Sequence, residues 1–223
     1  MGTATAELTV AVQDYLKAIY VLEAAGERAT TSALASRMGV SAPSATAMTK
    51  RLADLGLVER APYRGVELTD KGRLGALEVL RHHRLLERYL ADRLGLALDE
   101  VHAEAEVLEH ALTEELEAKI DAELGYPTHD PHGDPIPDRQ LRLAHGRDRT
   151  LLDLDPGERV VVSRVPDTER DLLRYLGELG LVPGSEVAVL AFAPFGGPVS
   201  LRTREGEHAI SRELAGQIAA GSR

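Results

Sequence analysis

The sequence predicts a mainly α-helical protein with a winged helix-turn-helix at its amino terminus, a helical middle and a small β-barrel at its carboxyl terminus. Three observations predict this fold class. Two short helices flank a tight turn and precede an alternating hairpin, helical periodicity then continues to about residue 124, and short alternating strands follow from Thr150. The 223 residues, 43% of them hydrophobic, are enough for more than one small domain.

The first 74 residues have the organisation of a winged helix-turn-helix. Apolar side chains recur with a helical period over residues 10–25. Thr30 or Thr31 can cap a short second helix, and Ser41 can cap a third, with Pro43 tolerated in its first turn. A two-strand hairpin, the wing, follows. We therefore predict a DNA-binding domain over residues 1–74.

Of the candidate DNA contacts, one lies on the second helix, one on the wing and the others on the third helix. Small hydroxyl side chains stand beside basic ones on this helix, a combination suited to base edges and phosphates. Three-helix cores with a hairpin also occur in protein-interaction modules, but a local excess of basic residues favours DNA. The predicted contacts are Arg37, Ser41, Pro43, Ser44, Ala47, Lys50, Arg51 and, near the tip of the wing, Arg64.

Charge is distributed unevenly along the chain. The formal net charge is −10, yet residues 28–73 hold eight Lys and Arg against four acids, for a balance of +4. Residues 99–123 hold ten acids against one Lys, for a balance of −9. The asymmetry predicts one part that faces DNA and another that needs a cation.

The helical middle, residues 75–128, contains the candidate metal ligands. Helices are predicted over about 70–94 and 99–124. His83 and Glu87 stand four residues apart on the helix predicted over 70–94 and share one of its faces. The helix predicted over 99–124 carries four candidate ligands on one face: His102, Glu106, Glu109 and His110. Imidazoles and carboxylates are ligands for divalent metals, although a solvated polar face has the same composition.

The remaining residues form a predicted linker and a predicted β domain. Residues 129–149 are rich in Pro, Gly and His, so little regular structure is expected there. His129 and His132 are expected to be solvated and are not counted as metal ligands. Short alternating strands around one short helix predict a small barrel over residues 150–223.

Composition excludes several functional classes. Without cysteine the chain has no disulfide, no thiolate zinc site and no catalytic thiol. No signal peptide or long apolar run is recognisable, so we expect a cytoplasmic protein with no membrane partner. The His/Glu cluster leaves a metallohydrolase as an alternative, but there is no H-E-x-x-H motif. No catalytic residue and no small organic substrate are predicted.

An ordered series of motifs resembles the diphtheria toxin repressor family of metal-dependent transcriptional regulators. The motifs are QDYLKAIYVLE, SAPSATAMTKRLADLGLVER, YRGVELTDKG, HRLLERYL, VHAEAEVLEH and HGDPIP. The carboxyl-terminal part resembles the SH3-like (FeoA-like) domain of longer members. The resemblance implies a homodimeric repressor that binds a palindromic double-stranded DNA operator and controls genes of metal-ion uptake and homeostasis.

The same resemblance implies two metal ions per subunit. The primary site would use Asp14, Glu106, Glu109 and His110. The ancillary site would use His83, Glu87 and His102 with carboxylates of the barrel. Those carboxylates would be Glu169 and, as an alternative or a companion, Asp171.

Three positions bear on the identity of the metal. The iron-sensing branch of the family has methionine at the position of Asp14 and cysteine at the position of Glu106. Carboxylates make the site harder, which shifts the expected co-repressor toward Mn(II), with Fe(II) as the alternative. The short manganese-sensing members carry an acid where this chain has Lys17, so their closely spaced pair of ions is not expected here.

The expected mechanism is a metal-linked shift in population. Without metal, the carboxylates of Asp14, Glu106 and Glu109 repel one another. A bound cation would join the first helix to the helix that bears residues 106–110, and would set two winged helices roughly 34–36 Å apart on successive turns of DNA. A repressor that ignores metals, with this cluster forming surface salt bridges, is the second alternative.

Overall fold

A computed structural model of the chain describes residues 8–61, 65–143, 149–167 and 169–221. Its helices are α1 (Val10–Ala24), α2 (Thr31–Arg37), α3 (Ala42–Asp54), α4 (Asp70–Leu94), α5 (Val101–Leu108), α6 (Glu114–Glu123), α7 (Arg170–Glu178) and α8 (Arg212–Ala215). Its strands are β1 (Val58–Ala61), β2 (Gly65–Leu68), β3 (Arg149–Thr150), β4 (Arg159–Arg164), β5 (Glu186–Phe192), β6 (Val199–Thr203), β7 (Gly206–Ile210) and β8 (Ala219–Gly221). Arg64 lies outside the described residues.

The amino-terminal part folds as the predicted winged helix-turn-helix. The hydroxyl of Thr30 accepts a hydrogen bond from the backbone N–H of Ala33, and the hydroxyl of Ser41 accepts one from Ser44, so both predicted helix caps form. Strands β1 and β2 pair antiparallel as the wing. One apolar core, with α1, α2 and α3 contributing, includes Val12, Leu16, Ile19, Leu34, Leu52 and Leu57.

The prediction of one continuous helix over residues 99–124 is wrong. A 3-10 turn, Glu109–Ala111, follows α5, and Leu112 then takes extended backbone angles (φ −72°, ψ 119°) before α6 begins. No glycine or proline marks the break, and apolar residues continue in the helical period through it. The break places two predicted ligands, Glu109 and His110, in the turn instead of on a helix face.

The chain divides into two compact units. The first holds the described residues up to His83 together with Leu108–Glu114 and Pro137–Leu143, and the second holds the other described residues. The second unit contains the predicted β domain, a six-stranded antiparallel sheet with strand order β3-β8-β4-β5-β6-β7. Its core is apolar and includes Val162, Leu176, Val189, Leu201 and Ile218. No helix in the described ranges combines the length and the apolarity that a membrane crossing requires.

The segment after α6 is more ordered than its composition predicts. His129 and Pro135 form an isolated antiparallel bridge, and one Asp130 carboxylate oxygen accepts three backbone hydrogen bonds from residues 132–134, each 2.9 Å long. The backbone N–H of Val165 donates to the carbonyl of His132. These bonds fix a loop against β4 within the second unit, and they bury His132.

Candidate metal centres

Three predicted ligands of the primary site meet in the first unit. Helix α1 contributes Asp14, and the 3-10 turn contributes Glu109 and His110. The Nε2 atom of His110 lies 2.9 Å from Oδ1 of Asp14 and 3.4 Å from Oε1 of Glu109. One potential ligand atom from each of the three residues lies within 4.8 Å of the others, a spacing that a single metal ion can bridge.

The ring of His110 is oriented by a second hydrogen bond. Its Nδ1 atom lies 2.6 Å from the side-chain oxygen of Gln13, which accepts a hydrogen bond. Nδ1 therefore donates to Gln13, and Nε2 is the ring nitrogen directed at the carboxylates of Asp14 and Glu109, where it can donate to Asp14 or, once it holds no proton, bind a metal. A metal-binding histidine needs this kind of support, because the outer hydrogen bond sets both tautomer and ring orientation.

Glu109 is the buried centre of this cluster. Its side chain is fully buried, and its Oε1 atom accepts a hydrogen bond from Nζ of Lys17 at 2.6 Å. Its Oε2 atom lies 2.5 Å from Nδ1 of His83 on α4. A carboxylate taken out of water needs such partners, because desolvation otherwise disfavours its charged form. Ion pairs between its own residues hold the site together.

A cavity of about 310 Å³ lies beside this cluster. Gln13, Glu78, His82, Glu109 and His110 contribute to its wall. Because carboxylate and imidazole groups line it, the cavity gives water and small cations a polar approach to the ligand atoms.

A second group of candidate ligands lies in the second unit and consists of Glu87, His132 and Asp167. The expectation that His132 is solvated is wrong, since its side chain is fully buried, as is that of Glu87. His129, in the same loop, is exposed as expected. The prolines and glycines of the loop do not distinguish buried His132 from exposed His129. Burial of His132 depends on the hydrogen bonds of Asp130 and on β4, which is distant in the sequence.

The two ring nitrogens of His132 have different roles. Nε2 lies 3.0 Å from the carbonyl oxygen of Leu98, which can only accept, so Nε2 carries a proton. Nδ1 is buried, makes no hydrogen bond within the described residues, and faces Oε2 of Glu87 at 3.7 Å. A buried ring nitrogen aimed at a carboxylate, with its other nitrogen anchored by a backbone carbonyl, is the arrangement of a metal-binding histidine.

Protons bound by neighbouring side chains compensate the buried negative charge of Glu87. Burial by itself lowers the pKa of His132, but attraction to Glu87 and Asp130 outweighs it and raises the pKa to about 9. Burial and repulsion from Glu87 raise the pKa of Asp130 to about 8. The imidazolium of His132 therefore supplies positive charge next to Glu87.

The other predicted ligands have different surroundings. His102 Nδ1 lies 3.0 Å from Oε1 of Glu87, so these two predicted ancillary ligands are in contact. Glu106 is an exposed residue of α5. Glu169 and Asp171 are also exposed, Asp171 with 95% of its side-chain surface, and neither belongs to a group of candidate ligands within the described ranges. The barrel carboxylate that does belong to such a group is Asp167, which sequence reasoning missed by two residues.

The predicted DNA contacts that the structure describes belong to α2 and to α3 with its amino-terminal cap in the winged helix-turn-helix. Ala45, Thr49 and Leu52 turn α3 toward the core, which leaves its opposite side free. All predicted contacts that the structure describes are exposed: Arg37, Ser41, Pro43, Ser44, Ala47, Lys50 and Arg51. The helix therefore presents hydroxyls and positive charges outward, as groove and phosphate recognition requires.

Comparison with protein families matches three consecutive models along the chain. Residues 7–66 match the iron dependent repressor, N-terminal DNA binding domain. Residues 69–138 match the iron dependent repressor, metal binding and dimerisation domain. Residues 149–220 match the FeoA domain.

Individual relatives cover most of the chain. The iron-dependent repressor IdeR of Mycobacterium leprae is 37% identical over 196 residues, which are 82% of this chain and 85% of the relative. A solved manganese-dependent transcriptional repressor in complex with manganese superposes with a TM-score of 0.86 at 40% identity, covering 95% of this chain and 100% of that one. The manganese regulator SloR superposes with a TM-score of 0.79 at 32% identity, covering 95% and 98%.

Proposed function

Because the chain belongs to the iron-dependent repressor family, which includes the diphtheria toxin repressors, we propose that it is a repressor with Mn(II) as its co-repressor. Members of this family are metal-dependent transcriptional repressors that bind DNA and dimerise, and they are not enzymes. A metallohydrolase is therefore set aside. The proposal includes a palindromic operator, read by a homodimer, upstream of metal-ion uptake genes.

The observation that carries the proposal is the contact between Asp14 and His110. Asp14 belongs to α1, which packs in the core of the winged helix-turn-helix, whereas His110 belongs to the turn between α5 and α6. A ligand set shared by these two elements couples occupancy of the site to the position of the DNA-binding helices. A metal can act as co-repressor only if the DNA-competent arrangement binds it better than the alternative.

The donor atoms at this site favour Mn(II). The chain has no cysteine, and the clustered side chains offer only carboxylate oxygen and imidazole nitrogen. Such donors suit Mn(II), while thiolate and thioether ligands suit softer ions. Solved neighbours named as manganese-dependent support this choice, and relatives named as iron-dependent keep Fe(II) as the alternative. Intrinsic affinity runs higher for Fe(II), so selectivity would come from geometry and from metal availability.

We propose that the ancillary site uses Glu87, His132 and Asp167, with His102 in contact with Glu87. Asp167 takes the role that sequence resemblance assigns to Glu169 or Asp171. Glu106 remains a predicted ligand of the primary site. His83 has a separate role in the primary cluster, where its Nδ1 atom holds Glu109.

In the proposed mechanism, contacts of Glu109 with Lys17 and of His110 with Asp14 fix the amino-terminal half of α1. Asp14, Glu109 and His110 would hold a divalent cation, whose charge would offset the two carboxylates. Gln13 keeps the Nε2 atom of His110 turned to the ligand cluster, and α1 in turn positions α3 through their shared core. Exposed Val107 and Leu116, 74% and 49% accessible, lie in the segment matched by the dimerisation domain and support a contact with a second copy.

The test is DNA affinity against free metal. Duplexes enriched from a random pool by the Mn(II)-loaded protein would be titrated by gel shift, at fixed salt, with Mn(II), anaerobic Fe(II) or chelator. We expect tight binding with Mn(II) that chelator reverses. Equal binding with and without chelator would instead support a repressor that ignores metals, and stronger activation by Fe(II) at equal free concentration would support the iron-responsive alternative.

A further inference from the structure

The primary cluster contains a positive charge of its own. Lys17 follows Asp14 by about one turn of α1, so both side chains reach the same site from one helix. The Nζ atom of Lys17 donates to Oε1 of Glu109 at 2.6 Å, and only 13% of the Lys17 side-chain surface is exposed. This ion pair is therefore a partly buried part of the site and not a surface contact.

The oxygen that Lys17 holds is the one that faces the other ligands. Oε1 of Glu109 is also 3.4 Å from Nε2 of His110, the same nitrogen that lies 2.9 Å from Asp14. The other oxygen of Glu109 faces His83. An ion bound by Asp14, Glu109 and His110 would thus need the atom that the ammonium of Lys17 contacts.

We infer that Lys17 is an internal competitor of the metal and sets the concentration at which this site fills. The inference rests on the proposed function, because it concerns the same ligands. In the metal-free chain, the ammonium compensates the buried carboxylate of Glu109. When a divalent cation binds, Lys17 leaves or shares that carboxylate, and the lost ion pair and the repulsion between the cations both weaken binding. A lysine suits this role because its compact charge sits on a flexible stem that can withdraw.

The size of the effect follows from known charge effects on carboxylates. One opposite charge within a few ångströms changes the proton affinity of a carboxylate by roughly ten- to a thousandfold. A cation that competes for the same oxygen should obey the same electrostatics. Removal of the charge at Lys17 should therefore tighten Mn(II) binding at this site by about tenfold or more.

The experiment is calorimetric titration of the full chain with Mn(II). Lys17→Gln removes the charge and retains a neutral hydrogen-bond donor, while Lys17→Arg retains the charge. Lys119→Gln is the matched control, because Lys119 pairs with Glu115 on α6 and is 69% exposed. We expect tighter binding at one site in Lys17→Gln only, and we expect that gain to disappear when Asp14→Ala is added.

A second measurement separates competition from a purely structural role. If Lys17 compensates Glu109 only without metal, Lys17→Gln should lower the melting temperature of the metal-free protein and enlarge the increase produced by Mn(II). Mn(II) affinity in Lys17→Gln equal to or below that of the wild type would overturn the inference. Mn(II) binding that Asp14→Ala leaves unchanged would instead overturn the proposed function, so the two failures are distinguishable.

Discussion

Nε2 of His110 lies 2.9 Å from Oδ1 of Asp14, although the two residues belong to elements far apart in the sequence. Asp14 is on α1, whose apolar side packs into the core shared with α2 and α3. His110 is in the 3-10 turn that interrupts the helical middle. Any ligand bound by both side chains therefore contacts a helix of the DNA-binding domain directly.

The loop after α6 provides a matched pair of histidines. His132 is fully buried beside Glu87, whereas His129 is exposed. His132→Ala should remove one Mn(II) per subunit and destabilise the metal-free protein by roughly 2–4 kcal/mol, because a buried carboxylate loses part of its compensating charge. His129→Ala should change neither. Calorimetric stoichiometry and urea unfolding check this pair, and equal effects of the two substitutions would contradict the ancillary site.

Two carboxylates of the barrel give a second comparison. Asp167 belongs to the group with Glu87 and His132, whereas Asp171 is almost fully exposed near Arg174. Asp167→Asn should weaken Mn(II) binding at the ancillary site by about tenfold or more, because a neutral amide is a poor ligand for a hard cation. Asp171→Asn should leave the affinity unchanged. The reverse ranking in a Mn(II) titration would restore the assignment made from family resemblance.

The fold was largely predictable from local patterns. The helix caps at Thr30 and Ser41 could be predicted from the sequence, because capping depends on residues three positions apart. The strands of the barrel were readable because their alternation is local as well. The 3-10 turn at Glu109 could not be predicted, since neither glycine nor proline marks it and apolar residues keep their helical spacing across it.

The sites were less predictable because their ligands converge from distant segments. Only the family resemblance predicts Asp14 as a ligand of the primary site. The spacing of His and Glu within residues 79–110 gives no indication that a residue of α1 completes the site. For His132 the sequence predicts a solvated side chain, because a loop rich in proline and glycine normally lies at the surface. Its burial depends on the Asp130 carboxylate, which accepts three backbone hydrogen bonds. Composition does not reveal a tertiary arrangement of this kind.

Two glycines with the same backbone angle test how the His132 loop is held. Gly133 and Gly157 both have φ of +96°, which is unfavourable for other residues. A Cβ atom on Gly157 would meet nothing within 4 Å, whereas one on Gly133 would lie 1.9 Å from the carbonyl oxygen of Ser163. Gly157→Ala should cost about 1 kcal/mol, and Gly133→Ala at least about 2 kcal/mol more.

Urea unfolding of the metal-free proteins measures that difference. Gly133→Ala should also weaken the ancillary Mn(II) site, because displacement of the loop moves His132 away from Glu87. Equal stabilities of the two variants would show that the loop is not packed against β4 as described.

The central claim, that a metal bound through Asp14 controls DNA binding, is tested most directly with Asp14→Ala. Operator affinity of this variant and of the wild type would be measured across free Mn(II) at one salt concentration, with circular dichroism to confirm that both are folded. The account predicts that Mn(II) strengthens DNA binding by the wild type and has no effect on the variant. DNA binding by Asp14→Ala that still responds to Mn(II) as the wild type does would contradict it.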